Sequence, residues 1–105
     1  MAILEDKVRV WLDSAKFVKA IPGVYVLYNR KKETIYIGES NNLQETFTKY
    51  ADKNFEDDSC KQKTYSYQRE FVDNPKERKE QLLENFKEEN GRLPICNEWI
   101  SSLQN

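Results

Sequence analysis

"IPGVYVLYNRKKETIYIGES" spans residues 21–40, and its reading decides the fold. Val24 to Tyr28 and Thr34 to Gly38 are rich in β-branched and aromatic residues and flank the polar run Asn29-Arg30-Lys31-Lys32. That arrangement predicts a β-hairpin. Setting Tyr25 opposite Tyr36 leaves residues 29–32 as a four-residue loop, and side chains then alternate between two faces. One face carries Val24, Val26, Tyr28, Ile35 and Ile37; the other carries Tyr25, Leu27, Thr34 and Tyr36. The two tyrosines become cross-strand neighbours, with Cβ atoms about 5 Å apart. Ordinary strand composition also explains such a pair, so the rest of the chain must be read with it.

Upstream, Ile3, Leu4, Val8, Trp11, Leu12, Ala15 and Val18 recur at three- and four-residue spacing and predict an amphipathic helix over the first twenty residues. Pro22-Gly23 ends it. Downstream, Asn41-Asn42 offers an N-cap to a helix whose apolar stripe is Leu43, Phe47, Tyr50 and Ala51. "NFEDDSCKQK" (54–63) reads as an exposed loop and "KTYSYQREF" (63–71) as a third strand. "DNPKERKEQLLENFKEENG" (73–91) reads as a helix with Asn74 as cap, Pro75 at its first position, Glu77 completing a capping box and Gly91 as stop. The expected fold is α/β (α+β): a small antiparallel three-stranded sheet flanked by helices. A single domain is expected over 1–105, with an N-terminal helix at 1–20, a core at 22–97 and a tail at 98–105.

The bulk properties narrow the function. With 38% hydrophobic and 33% charged residues in 105, the chain has the composition of a folded soluble domain. A net charge of −1 argues against binding nucleic acid through the whole surface. The absence of histidine removes Cys-His zinc sites and histidine triads. Cys60 and Cys96 have no nearby ligand partners and are expected to be reduced and unpaired. No apolar run approaches about 20 residues and no signal pattern opens the chain, so an intracellular, cytoplasmic protein without a membrane span is expected.

Gly23-Val24-Tyr25, followed by Tyr36-Ile37-Gly38, resembles the signature of the GIY-YIG endonucleases. "YIGESNNLQETFTKY" (36–50) resembles the family segment that leads from the second strand into a helix. Glu84-Asn85 and Pro94-x-x-Asn97 resemble its E-N and P-x-x-N elements, so the likeness runs from Pro22 to Asn97. It implies hydrolysis of DNA phosphodiesters with one divalent metal, Mg²⁺ or Mn²⁺. Tyr25 matches the tyrosine that activates the attacking water, and Tyr36 the one that orients it. Glu84 matches the metal carboxylate, Asn97 a structural or backbone-contacting asparagine, and Gly23 and Gly38 the signature glycines. Tyr50 falls at a position held by His or Tyr in the family.

The catalytic arginine of the family is absent: Thr46 occupies its position. Arginine suits that place because its planar fork binds phosphate oxygens bidentately. Losing such a clamp costs on the order of a hundredfold in rate, so weakened chemistry is expected. Lys49, three residues on, and Arg69 are the candidate substitutes. Residues 41–60 carry two lysines against five acidic groups, net −3, an acidic rim that repels a polyanion. The alternative function is therefore a catalytically inactive module of the same fold that binds a protein or nucleic acid. DNA and a protein are the candidate partners, with Trp11 or Trp99 offered as a docking point. Glu84 lies off its helix's apolar stripe, which a merely solvated glutamate explains equally well.

Overall fold

The computed structural model describes residues 3–98. Its sheet contains β1 (Arg9–Val10), β2 (Gly23–Tyr28), β3 (Thr34–Ser40) and β4 (Ser66–Phe71), all antiparallel, in the order β1-β4-β2-β3. The helices are α1 (Trp11–Ser14), α2 (Leu43–Asp52) and α3 (Pro75–Asn90). The α/β architecture is as expected; the sheet has four strands rather than three, because the two-residue β1 pairs with β4.

The expected helix over the first twenty residues does not form. Its apolar residues are divided between the two faces of the sheet: Leu4 packs with Val24, Val26 and Ile37, whereas Trp11, Ala15 and Val18 pack with Tyr25 and Phe47. No straight helix can reach both, so the chain wraps the β4 edge, and only α1 and a 3-10 turn at Ala15–Phe17 survive of the helix. Gln68, fully buried, replaces the missing helical hydrogen bonds. Its Oε1 accepts from Leu4 N at 3.1 Å, and its Nε2 donates to the carbonyls of Leu4 (2.8 Å) and Asp6. Val8 and Leu12, left over from the helical pattern, are exposed.

The hairpin forms in a different register. Tyr25 pairs with Gly38 and Leu27 with Tyr36, with an irregularity between Leu27 and Tyr28. The loop is five residues long, Asn29 to Glu33, because Asn29 Oδ1 accepts from the backbone N–H groups of Lys31 and Glu33, each at 3.0 Å. Lys32 turns the chain at φ 66°. A slip of two residues keeps Tyr25 and Tyr36 on one face, now as diagonal neighbours. The irregularity moves Ile35 to the Tyr25 side, against the expected alternation.

Each face is covered by one helix. Leu43, Phe47 and Tyr50 of α2 pack on the Tyr25 face, together with Trp11, Phe55 and Tyr67. Asn42 caps α2, its side chain accepting from Glu45 N at 3.0 Å. Leu82, Leu83 and Phe86 of α3 lie against the opposite face. Pro75 and Gly91 (φ 75°) bound α3, but Asn74 makes no side-chain cap bond, so the capping box with Glu77 does not form. Residues 95–98 are helical, and the rest of the tail, 99–105 with Trp99, lies outside the described residues. Trp11 is buried in the core and offers no docking point.

Candidate active site

Three tyrosines meet between the hairpin and α2. Tyr25 and Tyr36 have ring centroids 6.0 Å apart, and Tyr50 reaches them from α2. The Tyr25 and Tyr50 hydroxyls are hydrogen-bonded at 2.7 Å. All three rings are buried, at 2%, 8% and 6% exposure for Tyr25, Tyr36 and Tyr50. The signature glycines make this packing fit. A Cβ on Gly38 would lie 2.4 Å from Tyr25 Cζ and 2.6 Å from Tyr36 Cε2. A Cβ on Gly23 would meet Glu70 O at 2.5 Å and Leu43 Cδ1 at 2.7 Å.

Asn97 locks the second strand from outside the hairpin. Its Oδ1 accepts from Ile37 N at 2.9 Å and its Nδ2 donates to Ile37 O at 3.0 Å. Both backbone groups of the residue between Tyr36 and Gly38 are thus satisfied by one buried side chain.

Cys60 and Cys96 form a disulfide, with Cα atoms 5.6 Å apart, and so correct the expectation that they stay unpaired. A separation of 36 residues hid the pairing in the sequence. The bridge joins the loop before Lys61 to the segment carrying Asn97, so unpaired thiols no longer point to a reducing compartment.

Lys61 is the residue that sequence reasoning missed. From the loop after Cys60 its ammonium lies 4.1 Å from the Tyr36 ring centroid and 5.2 Å from that of Tyr50. It donates to Tyr50 Oη at 3.3 Å and stands 3.9 Å from Asp58 Oδ2. A short loop cation gave no periodic or motif signal, since its place depends on the fold.

Electrostatics keep these phenols protonated. Burial pushes Tyr25 well above the usual 10.0, helped by Tyr50, Tyr36 and Glu39. Burial and Asp58 raise Tyr36, with the Tyr25 hydroxyl opposing them, and burial raises Tyr50. Lys61 moves the other way: burial lowers it, aided by Lys79 and opposed by Asp58 and Glu56. A water-activating phenolate is therefore costly at the resting site.

The remaining candidates make no hydrogen bond to the tyrosines, although Arg69 is the β4 partner of Tyr25 across the sheet. Thr46 Oγ1 donates to Ser40 Oγ at 2.7 Å. Lys49 is exposed on α2 and pairs with Glu45 at 3.4 Å. Arg69 is held by Asp6 at 3.2 Å and lies over the Phe71 ring. Glu84 is exposed on α3, whose inward residues cover the sheet face opposite Tyr25. Among the described residues no three His, Cys, Asp or Glu side chains converge as a metal cage. A lone carboxylate such as Glu84 would suit a hard cation that keeps its waters and takes substrate oxygens.

This architecture, a signature hairpin between two helices with clustered tyrosines, is that of a GIY-YIG domain. A solved structure, the GIY-YIG N-terminal endonuclease domain of UvrC from Thermotoga maritima, superposes with a TM-score of 0.58. It covers 78% of this chain and 90% of that one at 18% identity, and it is a point mutant bound to its catalytic divalent cation. The chain carries the GIY-YIG fold, in a Gly-Val-Tyr…Tyr-Ile-Gly form. Over 52 residues it is also 40% identical to UvrABC system protein C of Vibrio cholerae serotype O1, in strains M66-2 and ATCC 39315. The match takes in 47% of this chain and only 8% of those relatives' length. No family model matches the chain.

Proposed function

We propose that this chain is a GIY-YIG-type nuclease domain that hydrolyses DNA phosphodiesters, slowly, because Thr46 replaces the arginine clamp. The observation that supports this best is the meeting of Tyr25, Tyr36 and Tyr50 on one face, with Asn97 bonded to both backbone groups of Ile37. A divalent metal, Mg²⁺ or Mn²⁺, would be held by Glu84 and by waters and phosphate oxygens; it would supply Lewis-acid stabilisation of the phosphoryl group. Tyr25 and Tyr36 would position the attacking water and share its proton. A DNA substrate would place the chain inside the cell; among the described residues no helix is long and apolar enough to cross a membrane.

The burial of all three phenols and the exposure of Glu84 favour a second reading, an inactive module of the same fold that binds DNA or, through its acidic rim, a protein. Incubation with supercoiled, nicked and branched DNA, with Mg²⁺ or Mn²⁺, separates the two. Metal-dependent nicking lost in Tyr25→Phe supports the nuclease. Binding without cleavage supports the module.

A further inference from the structure

Lys61 Nζ, Tyr50 Oη and Tyr25 Oη form a continuous hydrogen-bonded chain, with steps of 3.3 and 2.7 Å, ending beside Tyr36. The other candidate cations are spent elsewhere, Lys49 on Glu45 and Arg69 on Asp6. From this geometry we infer that the Lys61 amine is the terminal proton acceptor of a relay through Tyr50 and Tyr25, and that this relay activates water in place of a phenolate.

The inference rests on the nuclease reading. In the step, the water O–H bond breaks and its oxygen forms the new P–O bond. The water proton passes to Tyr25 Oη, the Tyr25 proton to Tyr50 Oη, and the Tyr50 proton to the lone pair of the neutral Lys61 Nζ, reversing the bond in which the charged Lys61 donates to Tyr50. The leaving oxygen departs with its P–O electron pair and is protonated by bulk water. No buried phenol needs to carry a full charge, which burial makes costly here. The charged groups that set the balance are Asp58 and Glu56 from the same loop, Lys79 from α3 and Glu39 from β3. Burial and Lys79 favour the neutral amine, while Asp58 and Glu56 favour the ammonium. The Cys60–Cys96 disulfide fixes the backbone next to Lys61, which holds the amine over the rings.

Two experiments on the oxidised full chain test the relay. The first follows lysine Nζ and tyrosine ring signals by NMR with rising pH, using Lys61→Met and Tyr50→Phe for assignment. Lys61 should lose its proton before Tyr25, Tyr36 or Tyr50 does. Ionisation of any of these tyrosines while Lys61 is still charged would overturn the inference, whether or not the chain cuts DNA. The second measures nicking by Lys61→Ala, expected to fall on the order of a hundredfold and to lose the alkaline rise of its pH profile. Added methylamine should restore rate in proportion to its concentration. Unchanged nicking by Lys61→Ala, or a loss that amines do not rescue despite an unchanged melting temperature, would also overturn it. Absence of nicking by the parent chain would sink the nuclease reading alone, because the order of titration is read without DNA.

Discussion

Tyr25 lies opposite Gly38, and a Cβ at position 38 would stand 2.5 Å from the Tyr25 hydroxyl. The signature glycine is therefore a consequence of the signature tyrosine: one ring occupies the space that a side chain on the facing strand would take. Gly38→Ala must move Tyr25 and Tyr36 together and should cost about 1–3 kcal/mol, as overpacking in a core does. Gly91→Ala is the control, since a Cβ there meets nothing and only the φ of 75° is strained. Urea unfolding of both variants should show the larger loss at position 38.

Asn97→Ala strips the Ile37 N–H and C=O of their partners inside the protein. Each unsatisfied buried group costs about 1–3 kcal/mol, so the variant should lose about 2–6 kcal/mol. Hydrogen exchange offers a local readout: the Ile37 amide should exchange much faster in the variant while the Val26 amide changes less.

The Cys60–Cys96 bridge closes a 36-residue separation, for which chain entropy gives about 3–4 kcal/mol of stabilisation. Thermal melts with and without reductant should differ, and Cys96→Ser should melt with the reduced parent. Mass analysis of alkylated protein, showing no free thiol before reduction, checks the bridge itself.

Much of this fold could be read from residues 21–51 and 75–91, where period-two and helical patterns are backed by Asn42, Pro75 and Gly91. The register and the N-terminus could not. Hairpin pairing depends on Asn29 gathering two amides and on a local irregularity, neither of which periodicity encodes. The segment before Trp11 mimics a helix because its apolar spacing serves both faces of the sheet, and because Gln68, far away in sequence, satisfies its backbone. In the site, the tyrosines were evident from the motif. Lys61 and the disulfide were not, since both depend on a loop that only the fold brings over the rings.

Titration of the buried phenols should show in stability. Tyr25 is raised above 10.0 by burial first, and Tyr36 and Tyr50 likewise, so the fold favours their protonated forms. That contribution is complete below about pH 10 and is lost as pH climbs through the folded values. Lys61, lowered from 10.5 mainly by burial, opposes this: its contribution is present above 10.5 and is lost as pH falls. With Tyr28, also raised by burial, four phenols outnumber the one amine, so urea midpoints should fall between about pH 10 and 12. Tyr25→Phe should flatten that fall. At the acid end burial raises Asp6, but Arg9 and Arg69 outweigh it and leave the carboxyl below 3.8. Its contribution is therefore lost as pH drops below 3.8.

The most direct measurement is nicking of supercoiled DNA in Mg²⁺ or Mn²⁺ by the parent chain, Tyr25→Phe and Thr46→Arg, side by side. A slow, metal-dependent parent activity is predicted, falling on the order of a hundredfold in Tyr25→Phe and rising when Thr46→Arg restores a phosphate clamp. No metal-dependent nicking by the parent or by Thr46→Arg, or a Tyr25→Phe variant that cuts as fast as the parent, would contradict the account.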